Sequence, residues 1–135
     1  MHISKLCVRN FRNFRAANFH FQEGVNTLIG ENGSGKTNAF HAIRLLLDDS
    51  LARRATQLKE SDFNRSNGSW KGHWIVISID FQKLDSSEGC QILKHTTGHM
   101  NGTDSGSYTF YFRPKRDVRS ALHAASGNAD QVRQI

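Results

Sequence analysis

The sequence predicts an α/β fold, in which an antiparallel β region lies beside a strand–loop–helix unit, and three observations support it. Apolar and polar residues alternate near the N-terminus and again over residues 74–81, which is typical of β-strands. From Thr37 onwards, apolar residues recur at the spacing of an amphipathic helix. Between these two patterns lies the glycine-rich segment 30–37. The change of period across this segment is what predicts a mixed fold.

The first 30 residues are expected to form β structure. Alternating apolar residues mark two strands, the first with Ile3, Leu6, Val8 and Phe11 and the second with Phe19 and Phe21. The polar pair Arg12 and Asn13 is predicted to form the turn between them. After Gly24, residues 25–29 are predicted to form a short strand that leads directly into the glycine-rich loop.

The segment after the loop is predicted to form an amphipathic helix that ends near Asp48 and Asp49. Its apolar residues are Ala39, Phe40, Ile43, Leu46 and Leu47. A shorter helical piece is expected over residues 51–58, followed by a polar, glycine-containing loop over residues 64–72. The alternation over residues 74–81 favours a half-exposed antiparallel strand over a buried parallel one.

The C-terminal third is less regular. Residues 85–107 are rich in Ser, Gly, Thr and His and are predicted to form a long connection with one strand at residues 91–93. Alternating aromatic residues predict another strand over residues 108–112. Asp117 is predicted to cap a last helix that ends at Gly127.

Composition narrows the class of protein. A chain of 135 residues with 37% hydrophobic and 22% charged residues can form one folded domain, and no apolar run approaches the ~18 residues of a membrane span. Cys7 and Cys90 make no disulfide framework, so a reduced, cytoplasmic location is expected. The chain has 18 Lys and Arg residues and 12 Asp and Glu residues, so its net charge is +6 and polyanions are the expected partners.

One motif carries specific chemistry. Residues 30–37 read Gly-Glu-Asn-Gly-Ser-Gly-Lys-Thr and match G-x-x-x-x-G-K-[ST], the phosphate-binding P-loop or Walker A motif. Its glycines allow successive backbone N–H groups to point at an anion, and the following helix adds its positive N-terminal end. Lys36 is expected to reach the β- and γ-phosphates of a nucleotide, and the Thr37 hydroxyl can bind Mg²⁺.

Residues 8–14, 19–21 and 24–38 together resemble the N-terminus of the SMC/RecF-like branch of ABC ATPases. Within that branch, the run 44–50 followed by 53–54 and 62–63 is most similar to OLD-family ATPases, which are ATPase–nuclease proteins with relatives in phage defence. The resemblance implies the N-terminal lobe of an ABC-type P-loop ATPase. It is strong over residues 1–49 and weaker up to about residue 81.

The resemblance also implies a set of ligands. Contacts to ATP phosphates are implied for Asn32, Gly33, Ser34, Gly35, Lys36, Thr37 and Asn38, with Thr37 as the Mg²⁺ ligand. Arg12 matches a basic residue that approaches the nucleotide from the first hairpin in this branch, and the alternative is a solvated turn residue. DNA and a second ATPase head, or a partner chain, are the implied macromolecular partners, and no membrane partner is expected.

Other motifs of that family are not found in the sequence. The signature motif requires a Gly-Gly pair, which the chain lacks, and the strand that ends at Asp80 continues with Phe81 where a Walker B strand has glutamate. Gln82 and Gln91 are weak candidates for the glutamine loop. Residues 1–135 are therefore expected to be the N-terminal part of a single ABC-type ATPase domain, inactive alone, whose catalytic residues are not assigned.

Weaker signals leave alternatives open. His95 and His99 near Cys90 have ligand spacing for zinc, but a polar loop is favoured because the surrounding residues are poor helix formers. Basic residues gather at three places, which are Arg12 and Arg15, Arg53 and Arg54, and Arg113 with Lys115, Arg116 and Arg119. These clusters can contact DNA or form a solvated surface.

The preferred function is an ATP- and Mg²⁺-binding segment of an OLD-like ATPase in DNA transactions or phage defence. Two alternatives stay open. The first is a regulatory or vestigial nucleotide-binding module without turnover, and the second is a basic nucleic-acid-binding fragment.

Overall fold

Four antiparallel strands form one sheet, and a helix packs across one of its faces. The computed structural model describes residues 1–48, 58–85, 87, 90 and 104–134. The strands are β1 His2–Phe11, β2 Phe14–His20, β3 Ile75–Gln82 and β4 Ser105–Phe112, in the spatial order β2-β1-β3-β4. The helices are α1 Lys36–Leu47, α2 Arg116–Ala124 and α3 Ala129–Gln134, with 3-10 turns at Glu60–Asp62 and Arg65–Asn67.

The strand register places alternate residues on opposite faces of the sheet. Leu6 lies opposite Phe19 on β2 and opposite Ile79 on β3, and Val8 lies opposite Ile77. Because side chains on a strand alternate with a period of two, one face of the sheet collects these apolar residues. The antiparallel strand predicted over residues 74–81 is confirmed.

We call the face that packs against α1 the inner face and the other the outer face. The completely buried residues of the inner face are Leu6, Val8, Phe11, Ile75, Ile77 and Ile79. From α1, Ala39 and Ala42 are buried against it together with Leu45 and Leu46, and the two alanines leave room for a close approach. Burial of each Leu or Ile side chain contributes about 1.5–3 kcal/mol, so this layer is the main source of stability.

The predicted limits of α1 are also confirmed. Gly35 is the N-cap residue, and the helix ends at Leu47, where the Asp48 backbone N–H donates to the Arg44 carbonyl oxygen. The Arg44 guanidinium also pairs with the Asp48 carboxylate at 3.1 Å, one turn apart. A cation in the last turn stabilises the helix, because it lies at the negative end of the helix dipole.

Some predicted elements differ in the structure. Residues 25–29 do not form a strand, because no described strand lies beside them to pair with their backbone. Val25 and Ile29 in this segment are 97% and 91% exposed. β4 begins at Ser105, earlier than its aromatic residues indicate. Asp117 lies in the first turn of α2 rather than capping it, since Lys115 is the N-cap residue.

Other expectations fall outside the described residues, namely most of the helical piece over 51–58 and the strand at 91–93. Within the described ranges, no helix combines the length and apolar character that a membrane crossing needs.

Candidate nucleotide-binding site

The loop over residues 30–37 is shaped by glycines at positions where other residues are strained. Gly33 has φ of +85° and Gly35 has φ of +108°, in the region that L side chains rarely adopt. Gly35 is buried, and a Cβ built there would lie 2.8 Å from Cζ of Phe14 and against the side chain of Asn13. The loop therefore needs glycine at 35 both for backbone conformation and for contact with the β1–β2 turn.

Backbone N–H groups of the loop are available to an anion. The Ser34 N–H donates to the Glu31 carbonyl oxygen at 3.2 Å. The N–H groups of Gly33, Gly35, Lys36 and Thr37 donate to no acceptor in the described part of the chain. Because they precede or begin α1, they coincide with the positive end of the helix dipole. This arrangement suits phosphate oxygens.

The Lys36 side chain folds back over the start of the loop. Its Nζ donates to the carbonyl oxygen of Gly30 at 2.5 Å and to that of Glu31 at 2.8 Å. The ammonium group is thus held at the loop by two neutral acceptors, for which a phosphate can substitute with a stronger, charge-assisted bond. Thr37 follows in the first turn of α1 and is exposed, so its hydroxyl is open to a hard cation such as Mg²⁺.

The turn between β1 and β2 contacts the second half of the loop and the start of α1. Asn13 Nδ2 donates to the Ser34 carbonyl oxygen at 3.0 Å, while Asn38 Nδ2 donates to Asn13 Oδ1 at 2.8 Å. Arg12 Nη1 donates to Asn38 Oδ1 at 3.1 Å. We call Arg12, Asn13, Ser34 and Asn38 the hairpin clasp. It joins the first hairpin to both the loop and α1.

Arg12 is fixed rather than free in this turn. It has φ of +51°, its Nε donates to Asp62 Oδ1 at 3.0 Å, and its backbone N–H donates to the Asp62 carbonyl oxygen at 2.7 Å. The guanidinium carbon lies 5.1 Å from the Phe11 ring centroid, and Asn64 Nδ2 donates to the Arg12 carbonyl oxygen at 2.8 Å. Arg12 is therefore not a solvated turn residue, and its contact with phosphate stays a prediction.

Sequence reasoning missed the roles of Asn13, Asp62 and Asn64. Asp62 belongs to the residues that carry the family resemblance, but nothing in the local sequence indicates that it pairs with a residue 50 positions earlier. The one local signal is at Asn13, because Asn is common in turns and its amide bonds nearby backbone.

His41, one turn into α1, stacks on Phe11 with ring centroids 6.1 Å apart and an interplanar angle of 10°. Burial lowers the pKa of His41 below its usual value, and the positive charges of Arg12 and Arg44 lower the same pKa further. The Asp62 carboxylate acts in the opposite direction. The neutral imidazole is thus the form that suits this position.

The remaining candidates do not join the loop. Asp80 lies opposite Lys5 and Ser107 on the outer face, whereas α1 covers the inner face, so Asp80 is not placed as a metal ligand beside Thr37. Gln82 ends β3 and is exposed. The described residues contain no group of three His, Cys, Asp or Glu side chains that could hold a metal. Gln91, His95, His99, Arg53 and Arg54 lie outside the described residues.

Comparison with known proteins identifies the family of the chain. The profile of the AAA ATPase domain family matches residues 1–128. The chain belongs to this family. Among curated relatives, the DNA replication and repair protein RecF of Pasteurella multocida is 51% identical over 107 residues, which are 77% of this chain and 28% of RecF. The α/β fold and the N-terminal position within an SMC/RecF-like ABC ATPase are confirmed.

Two further relatives match shorter stretches of the chain. The DNA double-strand break repair Rad50 ATPase of Thermococcus kodakarensis is 39% identical over 83 residues, 62% of this chain and 9% of Rad50. Endonuclease GajA of Bacillus cereus strain VD045 is 32% identical over 88 residues, 65% of this chain and 14% of GajA. The chain thus spans between 9% and 28% of the length of these three curated relatives.

The fold has a counterpart among solved structures. A structure from a study of the "structural biochemistry of ATP-driven dimerization and DNA stimulated activation of SMC ATPases" covers 97% of this chain and 83% of its own, with a TM-score of 0.51. At 21% sequence identity, this likeness shows the fold alone.

Proposed function

We propose that the loop and the start of α1 bind the triphosphate of ATP together with Mg²⁺. The single observation that carries the proposal is that four loop N–H groups, those of Gly33, Gly35, Lys36 and Thr37, have no acceptor among the described residues and lie beside the Lys36 ammonium group. A triphosphate supplies both the acceptor oxygens and the negative charge that this arrangement lacks.

Each residue of the site has a distinct role in this proposal. The backbone from Asn32 to Gly35 surrounds the phosphates, and Lys36 exchanges its two carbonyl acceptors for β- and γ-phosphate oxygens. The Thr37 hydroxyl binds Mg²⁺, which neutralises charge on the phosphates when it is present. Asn38 and Arg12 stand at the edge of the loop through the hairpin clasp, and Arg12 Nη2 donates to no atom of the described residues.

Calorimetric titration with ATP, with and without Mg²⁺, tests the site. Lys36→Ala is expected to weaken ATP binding about tenfold or more, because charge-assisted hydrogen bonds contribute ~1.5–3 kcal/mol. Lys115→Ala is the matched control, because it also removes one positive charge and Lys115 is exposed at the start of α2. Thr37→Ala should weaken only the Mg²⁺-dependent part of binding. Unchanged ATP affinity in Lys36→Ala would contradict the assignment.

We further propose that the chain is a segment of an OLD-like ATPase that acts in DNA transactions or phage defence in the cytoplasm. The relatives support this proposal through their names, which include a replication and repair protein, a double-strand break repair ATPase and an endonuclease. A second ATPase head or a partner chain would supply the Walker B and signature motifs.

This proposal predicts ATP binding without appreciable turnover by the 135-residue chain. Hydrolysis requires a group that orients the attacking water and charge that stabilises the γ-phosphate. Asp62 pairs with Arg12 and Asp80 lies on the outer face, so neither of these two carboxylates is placed for that purpose. The release of phosphate by the purified chain measures the rate of ATP hydrolysis, with Lys36→Ala as the control for contaminating ATPases. Rapid release that disappears in this variant would show that the chain holds its own catalytic residues.

A further inference from the structure

The outer face of the sheet carries residues that the nucleotide site does not use. The register aligns Arg9, Val76 and Tyr111 across the three strands β1, β3 and β4. The last ladder pair is Ile75 with Phe112, so Trp74 and Arg113 are the next pair beyond it. Since α1 packs on the inner face, this row lies on the opposite side of the sheet from the helix of the nucleotide site.

Two aromatic rings on this face are exposed. Trp74 is 40% exposed and Tyr111 is 58% exposed, and their rings meet edge to face with centroids 6.4 Å apart. In contrast, Phe110 and Phe112 on the same strand as Tyr111 turn inwards and pack against the core. Inward residues of β4 thus account for its packing, and Tyr111 is left available for contact.

One arginine lies against these rings, and a second arginine lies in the same row of the outer face. The Arg113 guanidinium carbon lies 5.1 Å from the Trp74 ring centroid. Arg9 Nη1 donates to the Ala17 carbonyl oxygen and to Asn18 Oδ1, each at 3.1 Å, which holds the guanidinium on the outer face. Its Nε and Nη2 donate to no atom of the described residues, so they are available to an acceptor.

We propose that this surface binds single-stranded nucleic acid. We call Arg9, Trp74, Tyr111 and Arg113 the aromatic platform. Bases stack on Trp74 and Tyr111, and phosphates contact Arg113 and Arg9. Aromatic rings interleaved with arginines are the usual means of binding unpaired bases, because every base offers a π face and every nucleotide a charge.

Charge and ring geometry favour this ligand over other classes. Arg9 and Arg113 carry no acidic partner in the described part of the chain, so the surface complements a polyanion rather than an apolar partner. The exposed rings can stack with unpaired bases, whereas the bases inside a duplex are already stacked on one another. Binding at this surface does not depend on the nucleotide site, and it goes beyond the function proposed above.

Fluorescence anisotropy of a labelled oligothymidylate of about 12 nucleotides, titrated with the 135-residue chain, tests the proposal. Trp74→Ala and Tyr111→Ala are each expected to weaken binding about fivefold or more, since base stacking contributes ~1–3 kcal/mol per base. Tyr108→Ala is the matched control, because Tyr108 is 49% exposed on the same strand but points to the inner side. Tyr108→Ala should leave the affinity unchanged.

Salt dependence tests the arginines separately. Arg113→Gln should make the slope of log affinity against log salt shallower by about one contact, whereas Arg116→Gln on α2 should change it less. A duplex of the same length should bind without sensitivity to Trp74→Ala. Equal losses in Tyr111→Ala and Tyr108→Ala, or no binding of the single strand, would overturn the proposal.

The two sites are distinguished by cross-controls. Variants of the aromatic platform should keep the ATP affinity of the wild type, and Lys36→Ala should keep the oligonucleotide affinity. Loss of both ligands in Trp74→Ala would mean that the fold itself is damaged, which circular dichroism and the fluorescence of the remaining Trp70 report. In that case Tyr111→Ala and Arg113→Gln, which change side chains at the surface, decide the question.

Discussion

The two faces of the sheet are built from the same four strands but are organised differently. On the inner face, Leu6, Val8, Ile77 and Ile79 are completely buried beneath α1. On the outer face, Ser78 shares a hydrogen bond of 2.8 Å with Thr109, and aromatic and basic residues face solvent. Stability therefore comes mainly from one set of alternate residues, and the other set is free to carry contacts with ligands.

The difference between the faces also explains where the nucleotide site lies. The loop is fixed by α1, which is anchored on the inner face, and by the hairpin clasp at the end of β1 and β2. Packing on one face thus positions the loop backbone without using any residue of the other. Three pairs of substitutions, in order of expected effect, test this division.

The largest effect is expected from Ile77→Ala compared with its neighbour Ser78→Ala. Ile77 is completely buried, so its truncation leaves a cavity and should lower the free energy of unfolding by about 2–5 kcal/mol. Ser78→Ala removes one partly buried hydrogen bond and should cost only ~0.5–1.5 kcal/mol. Urea denaturation measures both. Similar losses for the two variants would show that both faces contribute equally to the free energy of unfolding.

A smaller effect is expected from Gly35→Ala compared with Gly33→Ala. Both residues have positive φ, so each alanine is strained by roughly 1–3 kcal/mol. Only at Gly35 does the added Cβ also meet Phe14 and Asn13, whereas at Gly33 it points into open space. Gly35→Ala should therefore lose more stability and more ATP affinity than Gly33→Ala, as denaturation and calorimetry would show. The reverse order would mean that the hairpin does not support the loop.

The strands and α1 could be predicted because their information is local. Periods of two and 3.6 residues reveal which side chains face a common core, and the inner-face residues from Ile75 to Phe81 follow that rule. The glycines and Lys36 of the loop were predictable for the same reason, since the motif is a continuous run.

What could not be predicted depends on residues far apart in the chain. The ion pair between Arg12 and Asp62 and the stacking of Arg113 on Trp74 both follow from tertiary contacts rather than from local pattern. Residues 25–29 show the converse case. Their apolar run favours a strand, yet a strand also needs a neighbour, and in the described chain none lies there.

The smallest effect, and the one that separates the faces by pH, is expected from His41. The folded state holds the pKa of His41 below its usual value, mainly through burial, so the unfolded chain binds the proton more readily. The stabilising contribution is therefore fully present above the unfolded value of about 6.5, and it is lost as the pH falls below that value. Lowering the pH from about 7.5 to about 5.5 should thus destabilise the wild type.

His41→Phe should reduce this loss, because phenylalanine keeps a ring against Phe11 but takes up no proton. His20→Gln is the matched control, since His20 ends β2 opposite Lys5 on the outer face and is exposed. Urea denaturation of the three proteins at both pH values measures the difference in the free energy of unfolding. If His41→Phe loses as much stability as the wild type on acidification, protonation at the inner side is not what destabilises the fold. The pH dependence would then have to come from groups outside the contact of α1 with β1.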